Sequence, residues 1–184
     1  MTATDVLVER NRTWSTAQAP SDLSLRPRLQ VAIVTCMDSR LDLFDVLGLA
    51  PGEAHVLRNA GGVVTDDVVR SLAISQRKLG TREVVLVHHT DCGMQTITDD
   101  GFRAELQADS GVSPSFAIET FTDLDEDVAQ SVRRVRRSAF LLYPEAVRGF
   151  VHDVATHELR EVDVPGRSGD RRARTLSPVR LAAS

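Results

Sequence analysis

Two short stretches hold the side chains capable of chemistry. In the first, the apolar run Val31-Ala32-Ile33-Val34-Thr35 stops on Cys36-Met37-Asp38-Ser39-Arg40, bringing a thiol, a carboxylate and a guanidinium together. In the second, Glu83-Val84-Val85-Leu86-Val87 ends on His88-His89-Thr90-Asp91-Cys92-Gly93, with two imidazoles and the chain's only other thiol. Taken singly, each half is weak: a buried Cys at a strand end is more often packing, and H-x-x-C arises by chance. Together they predict a zinc site, because ligands carried on the carboxyl ends of parallel strands converge in the crevice where α/β sheets hold their sites.

The elements that must position these residues can be read along the chain. Residues 4–18 are expected to form a helical arm, which Pro20 and Pro27 separate from the first core strand at 29–35. A short helix follows the Cys36–Arg40 loop and closes near Gly48 and the Pro51-Gly52 turn. The second strand is 54–58, and Gly61-Gly62 lets backbone approach where a side chain would block it. Thr65 caps a helix with Asp66 and Asp67 in its first turn and Gly80 at its end, and the third strand is 84–88. Strand, helix and strand with short joints predict a right-handed parallel crossover.

Further on, Cys92-Gly93-Met94 begins a helical stretch, Thr98 starts a helix leading to Leu106, and 111–115 is a loop. Thr122 with Asp123, Asp125, Glu126 and Asp127 opens a helix that ends in Arg133, Arg134, Arg136 and Arg137. Acid first and base last complements the helix dipole, which explains the arginine run better than a nucleic-acid patch. Residues 148–154 alternate like a strand, with 158–162 as hairpin partner or poorly packed edge. His152 and His157 are then expected on opposite faces of a strand and are not read as ligands. The fold class is α/β, a mostly parallel sheet flanked by helices with an antiparallel edge strand.

With 184 residues, 42% hydrophobic and 26% charged, the chain suits one globular domain. It divides into an arm at 1–28, a zinc-binding catalytic domain at 29–163 and a basic tail at 164–184 that is expected to be disordered. The net charge of −4 argues against general nucleic-acid affinity; residues 165–184 hold five Arg and one Asp, so the remainder carries −8. No secretory signal or membrane-length apolar run is seen, so a soluble cytoplasmic protein is expected, with both thiols reduced and available as ligands.

Cys36-x-Asp38-x-Arg40, then Arg58-Asn59-Ala60-Gly61-Gly62, then His89-x-x-Cys92-Gly93 resembles the signature of the β-class carbonic anhydrases over about residues 29–163. The resemblance implies one Zn²⁺ per subunit on Cys36, His89 and Cys92. His88, one residue earlier on the strand, faces the other side and is read as a core or interface histidine with a satisfied ring. The implied reaction is reversible hydration of CO2 to bicarbonate and a proton by hydroxide on the metal. Asp38 orients that hydroxide, and Arg40 holds Asp38 ionised or releases it to become a fourth ligand in a closed state. Gly61 and Gly62 are candidates for substrate binding.

The family's glutamine before the first zinc cysteine is replaced by Pro27, and a regulatory tryptophan by Ile33. The short length and the His-Thr-Asp-Cys-Gly-Met run are most similar to the compact branch, whose members form homodimers or larger assemblies with clefts between subunits. A homodimer or higher homo-oligomer acting on a small-molecule substrate, CO2 or bicarbonate, is therefore expected, with no nucleic-acid or membrane partner. A carbonyl sulfide or carbon disulfide hydrolase of the same fold is the competing enzyme. An inactive zinc-stabilised interaction protein is a further alternative, and a disulfide oxidoreductase lacks the C-x-x-C arrangement.

Overall fold

The computed structural model describes residues 1–19 and 21–165. Most of the basic tail expected at 164–184 therefore lies outside the described residues. Strands β1 (Val31–Cys36), β2 (Ala54–Asn59), β3 (Glu83–His89), β4 (Val147–His152) and β5 (Leu159–Val162) form one sheet in the order β2-β1-β3-β4-β5. The first four run parallel, and β5 returns antiparallel on β4 as the edge. Helices α1 (Ala3–Thr16), α2 (Leu43–Leu47), α3 (Asp66–Leu79), α4 (Asp99–Ser110) and α5 (Leu124–Arg137) complete the architecture.

Both site strands are shifted or longer than the sequence suggests. Gln30 adopts a left-handed backbone (φ 54°) and its carbonyl accepts from Arg82 N at 2.7 Å, so extended structure starts only at Val31. At the other end Cys36 pairs with Asn59, and on β3 His89 pairs with His152. The first thiol and both imidazoles are thus the last residues of strands and not loop residues.

Alternation along the strands supplies the core. Ala32, Val34, Val84 and Leu86 face one side with Val68 and Leu72 of α3 and with Val132 and Val135 of α5; Ile33 and Val87 face the other with Leu43 of α2. Each fully buried aliphatic side chain contributes about 1.5–3 kcal/mol of transfer free energy. Thr65 caps α3 by accepting from Val68 N, and Gly80 ends it in a left-handed conformation, both as expected.

Helix α5 is capped by Asp123, whose carboxylate accepts from Glu126 N at 3.0 Å, and not by Thr122. Its basic end complements the dipole, and three of its four arginines have partners as well. Arg133 pairs with Glu126, Arg134 with Glu119 and Asp66, and Arg136 donates to Val164 O. Helix α1 carries a Thr2/Asp5 capping box, and each of its residues is exposed or half-buried, including Leu7 and Trp14.

One expectation is overturned: His152 and His157 do not lie on opposite faces of a strand. His157 belongs to the β4–β5 turn, with φ 63° and its N–H donating to Asp153 O at 2.8 Å. That turn folds its ring back to 6.0 Å from the His152 ring, centroid to centroid.

Gly149 of β4 lies beneath α5, where an added Cβ would overlap Val128 Cγ1 and approach Val132 Cγ2 to 2.9 Å. Gly149→Ala is predicted to cost roughly 1–3 kcal/mol in urea unfolding by overpacking this contact; unchanged stability would show that α5 is not seated closely on the sheet.

Candidate metal centre

The strand order places the centre. The chain leaves β1 toward β2 on one side of the sheet and leaves β3 toward β4 on the other, so a crevice opens beyond the carboxyl ends of β1 and β3. Cys36 closes β1, His89 closes β3, and Cys92 follows in the turn after β3.

The Cys36 and Cys92 sulfurs are 3.9 Å apart, and the ligand atoms of Cys36, His89 and Cys92 all lie within 4.8 Å of one another. Tetrahedral coordination at a Zn–S distance of about 2.3 Å needs a sulfur separation of about 3.8 Å. His89 has its Nδ1 against Thr90 O at 2.9 Å, which turns Nε2 toward the sulfurs; that buried atom has no hydrogen-bond partner among the described residues. An orphaned imidazole nitrogen beside two buried thiols fits zinc, and the set of two thiolates and one imidazole is a known catalytic one.

The electrostatics agree with a cation. The contact with the Cys92 sulfur lowers the Cys36 pKa, burial opposes, and His89 with the N–H groups of Asp38 and Gly61 lowers it further. The same sulfur–sulfur contact raises Cys92, with burial adding to the rise and the Met94 N–H acting against it. For His89, burial disfavours the charged ring, but Cys36 and the Thr90 carbonyl raise it overall. Two adjacent buried thiols cannot both ionise without compensation, and a divalent cation supplies it.

Glycine makes the close packing feasible. Gly62 has φ 72°, and a Cβ there would stand 2.8 Å from Cys36 N and 2.9 Å from the Thr35 carbonyl carbon. Gly61, at φ 78°, would meet Phe121 and Met94 at 3.1 and 3.2 Å. Gly62 therefore lets the turn after β2 press onto the first ligand, and Gly61 lets it pack against Phe121 and Met94. Val63, Met94, Ile118 and Phe121 join the two cysteines in one buried apolar cluster, with Phe102 and Leu106 of α4 half-buried against it.

Asp38 and Arg40 sit at the mouth of the crevice. Arg40 donates from Nε to Asp38 Oδ1 at 3.0 Å and from Nη2 to Oδ2 at 2.8 Å, and its backbone N–H donates to Oδ1 at 2.9 Å. These bonds hold Asp38 well below the ordinary carboxylate range. Asp38 Oδ2 is 3.8 Å from His89 Nε2.

His88 points away, as expected. Its Nε2 meets Asp127 Oδ2 of α5 at 2.8 Å, but Nδ1 is buried without a partner among the described residues, so its ring is only half satisfied. Two residues have contacts that the sequence reading of the site did not assign, although Arg58 stood in the signature. Arg58 donates to Cys36 O at 2.9 Å and Asp38 O at 2.7 Å, and Asp91 receives Arg40 Nη1 at 2.6 Å. Arg58 had a usable signal, since its strand had to pair beside the strand of Cys36; Asp91 was visible only as a spacer between ligands.

The carbonic anhydrase family model matches residues 31–159. β-Carbonic anhydrase 1 of Mycobacterium tuberculosis is 51% identical over 162 residues, 88% of this chain and 99% of that protein. A carbon disulfide hydrolase of Acidianus is 33% identical over 154 residues, 70% of this chain and 75% of that protein. Among solved structures, carbonic anhydrase from Streptococcus mutans has a TM-score of 0.83 and 43% identity, covering 89% of this chain and 99% of its own. Zinc is the cofactor of that family, and the three ligand atoms described above are positioned to hold it. By sequence, by fold and by this arrangement of two thiols and an imidazole, the chain belongs to the β-carbonic anhydrase family.

Proposed function

We propose that the protein catalyses reversible hydration of CO2 to bicarbonate and a proton, with Cys36, His89 and Cys92 as ligands of one zinc per chain and Asp38 with Arg40 as the dyad beside it. The observation that carries this reading is the Asp38 carboxylate held by Arg40 at 3.8 Å from the unpartnered His89 nitrogen. A purely structural zinc site would need neither residue.

Zinc, when bound, supplies a Lewis acid and a water acidified toward neutral pH. The protein's residues provide the rest. Asp38, kept ionised, can only accept hydrogen bonds, so it would accept one from the O–H of the attacking hydroxide, without taking the proton, and leave the oxygen lone pair directed into the crevice. Arg40 engages both carboxylate oxygens, and a closed state with Asp38 as fourth ligand requires breaking those bonds. Val63, Met94, Ile118 and Phe121 offer an apolar wall suited to a linear, nonpolar substrate, and Gly61 and Gly62 hold that wall against the ligands. The same wall suits carbon disulfide, which the 33%-identical relative is named for hydrolysing.

The reading includes a homo-oligomer of two or more chains, supported by the apolar Leu7 and Trp14 that α1 presents to solvent. No helix among the described residues is long and apolar enough to cross a membrane. The reading also places the enzyme in the cytoplasm, where reducing conditions keep both thiols available to the metal.

Stopped-flow CO2 hydration by zinc-loaded protein should be rapid, and Asp38→Ala should lower kcat roughly 10–100-fold with zinc retained. Full zinc occupancy without hydration would contradict the reading, and turnover of carbonyl sulfide or carbon disulfide in its place would assign the site to sulfur substrates. Removing zinc with a chelator should abolish hydration, and stoichiometric zinc should restore it; activity that survives chelation with no zinc left by elemental analysis would exclude these ligands.

A further inference from the structure

We propose that Asp91 is a positioning residue: it clamps the Arg40 guanidinium from the side opposite Asp38 and so fixes the dyad relative to the ligands. This rests on the reading of the site given above.

Arg40 uses two edges of its guanidinium at once. Nε and Nη2 face Asp38, while Nη1 donates to Asp91 Oδ2 at 2.6 Å and Nη2 also donates to the Asp91 carbonyl at 2.8 Å. Asp91 receives both bonds because its backbone is left-handed, with φ 55°, in the two-residue spacer between His89 and Cys92. Asp tolerates that conformation better than most residues.

The contact joins the two ligand-bearing loops. On one side Arg58 holds the carbonyls of Cys36 and Asp38. On the other, Thr90 is tied to the end of β4 through its N–H to His152 O at 2.9 Å and to the turn that follows through its hydroxyl, which accepts from Val154 N at 3.0 Å. Arg40 spans the gap between these anchored segments, and Asp91 is its far attachment. The Arg40 side chain is half exposed and that of Asp91 mostly exposed, so the ion pair adds little to global stability. Its consequence is geometric: without the Asp91 carboxylate, Nη1 loses its protein acceptor, and the far edge of the guanidinium keeps only the bond from Nη2 to the backbone carbonyl of residue 91, which loosens its hold on the orientation toward Asp38.

The test uses two substitutions that both tolerate the left-handed backbone. Asp91→Gly removes the carboxylate, and Asp91→Asn keeps an acceptor oxygen. In metal-free protein, ¹⁵N NMR should show a resolved, slowly exchanging Arg40 Nε–H that broadens in Asp91→Gly and persists in Asp91→Asn. In zinc-loaded protein, Asp91→Gly should lower kcat for CO2 hydration about 10-fold at unchanged KM and unchanged unfolding midpoint, with Asp91→Asn retaining most of the rate. The proposal is overturned if Asp91→Gly leaves either the Arg40 signal or kcat as in the unaltered protein.

If the unaltered zinc-loaded protein hydrates no CO2, the functional reading fails separately. The clamp is then decided by the Arg40 signal and by zinc affinity in chelator competition. Roughly 10-fold weaker binding by Asp91→Gly sustains it, and equal binding overturns it.

Discussion

Two thiols and an imidazole, buried within ligand distance of one another, impose a demand that the surrounding structure meets in several ways. Ionised sulfurs 3.9 Å apart repel, and burial strengthens the repulsion by excluding water. Backbone N–H groups from Asp38, Gly61 and Met94 point at the sulfurs and offset part of that cost. The Gly61 N–H can do so because the turn after β2 lies against Cys36, and that approach requires glycine at 62. The dication completes the balance, so metal affinity and local geometry are coupled from the outset.

The sheet converts this local demand into a rigid frame. β1 and β3 are hydrogen-bonded neighbours, and Thr35 Oγ1 adds a side-chain bond to Val87 O at 2.8 Å immediately below the ligands. One residue before the ligand His89, the His88 ring is tied to Asp127, which fastens α5 to the same strand end. Arg58 of β2 and Arg40 brace the end of β1 and the loop after it through carbonyls and a carboxylate. The functional groups are therefore set on strand ends and braced turns, where displacements are small.

Much of this was legible in the sequence because it follows from local rules. Apolar runs gave the strands, Thr65 and Thr98 gave helix starts, Gly48 and Gly80 gave helix ends, and two ligand-bearing strand ends gave the centre. The parts that were missed depend on long-range or backbone-specific features. Gln30 delays β1 through a left-handed conformation that its type does not announce, and His157 turns back on His152 for a similar reason. Asp91 reaches Arg40 across 51 positions of sequence, and no periodicity encodes that contact. Thr122 and Asp123 are both good caps, and only the backbone angles at Asp123 chose between them.

The central claim is that Cys36, His89 and Cys92 hold zinc while Arg40 keeps Asp38 off it. Zinc K-edge X-ray absorption of the loaded protein at neutral pH tests this most directly. The account predicts two sulfur scatterers at about 2.3 Å, one imidazole and one light atom from solvent, with a spectrum that Asp38→Ala leaves unchanged. Fewer than two sulfurs, or a light-atom shell that changes when the Asp38 carboxylate is removed, would contradict it.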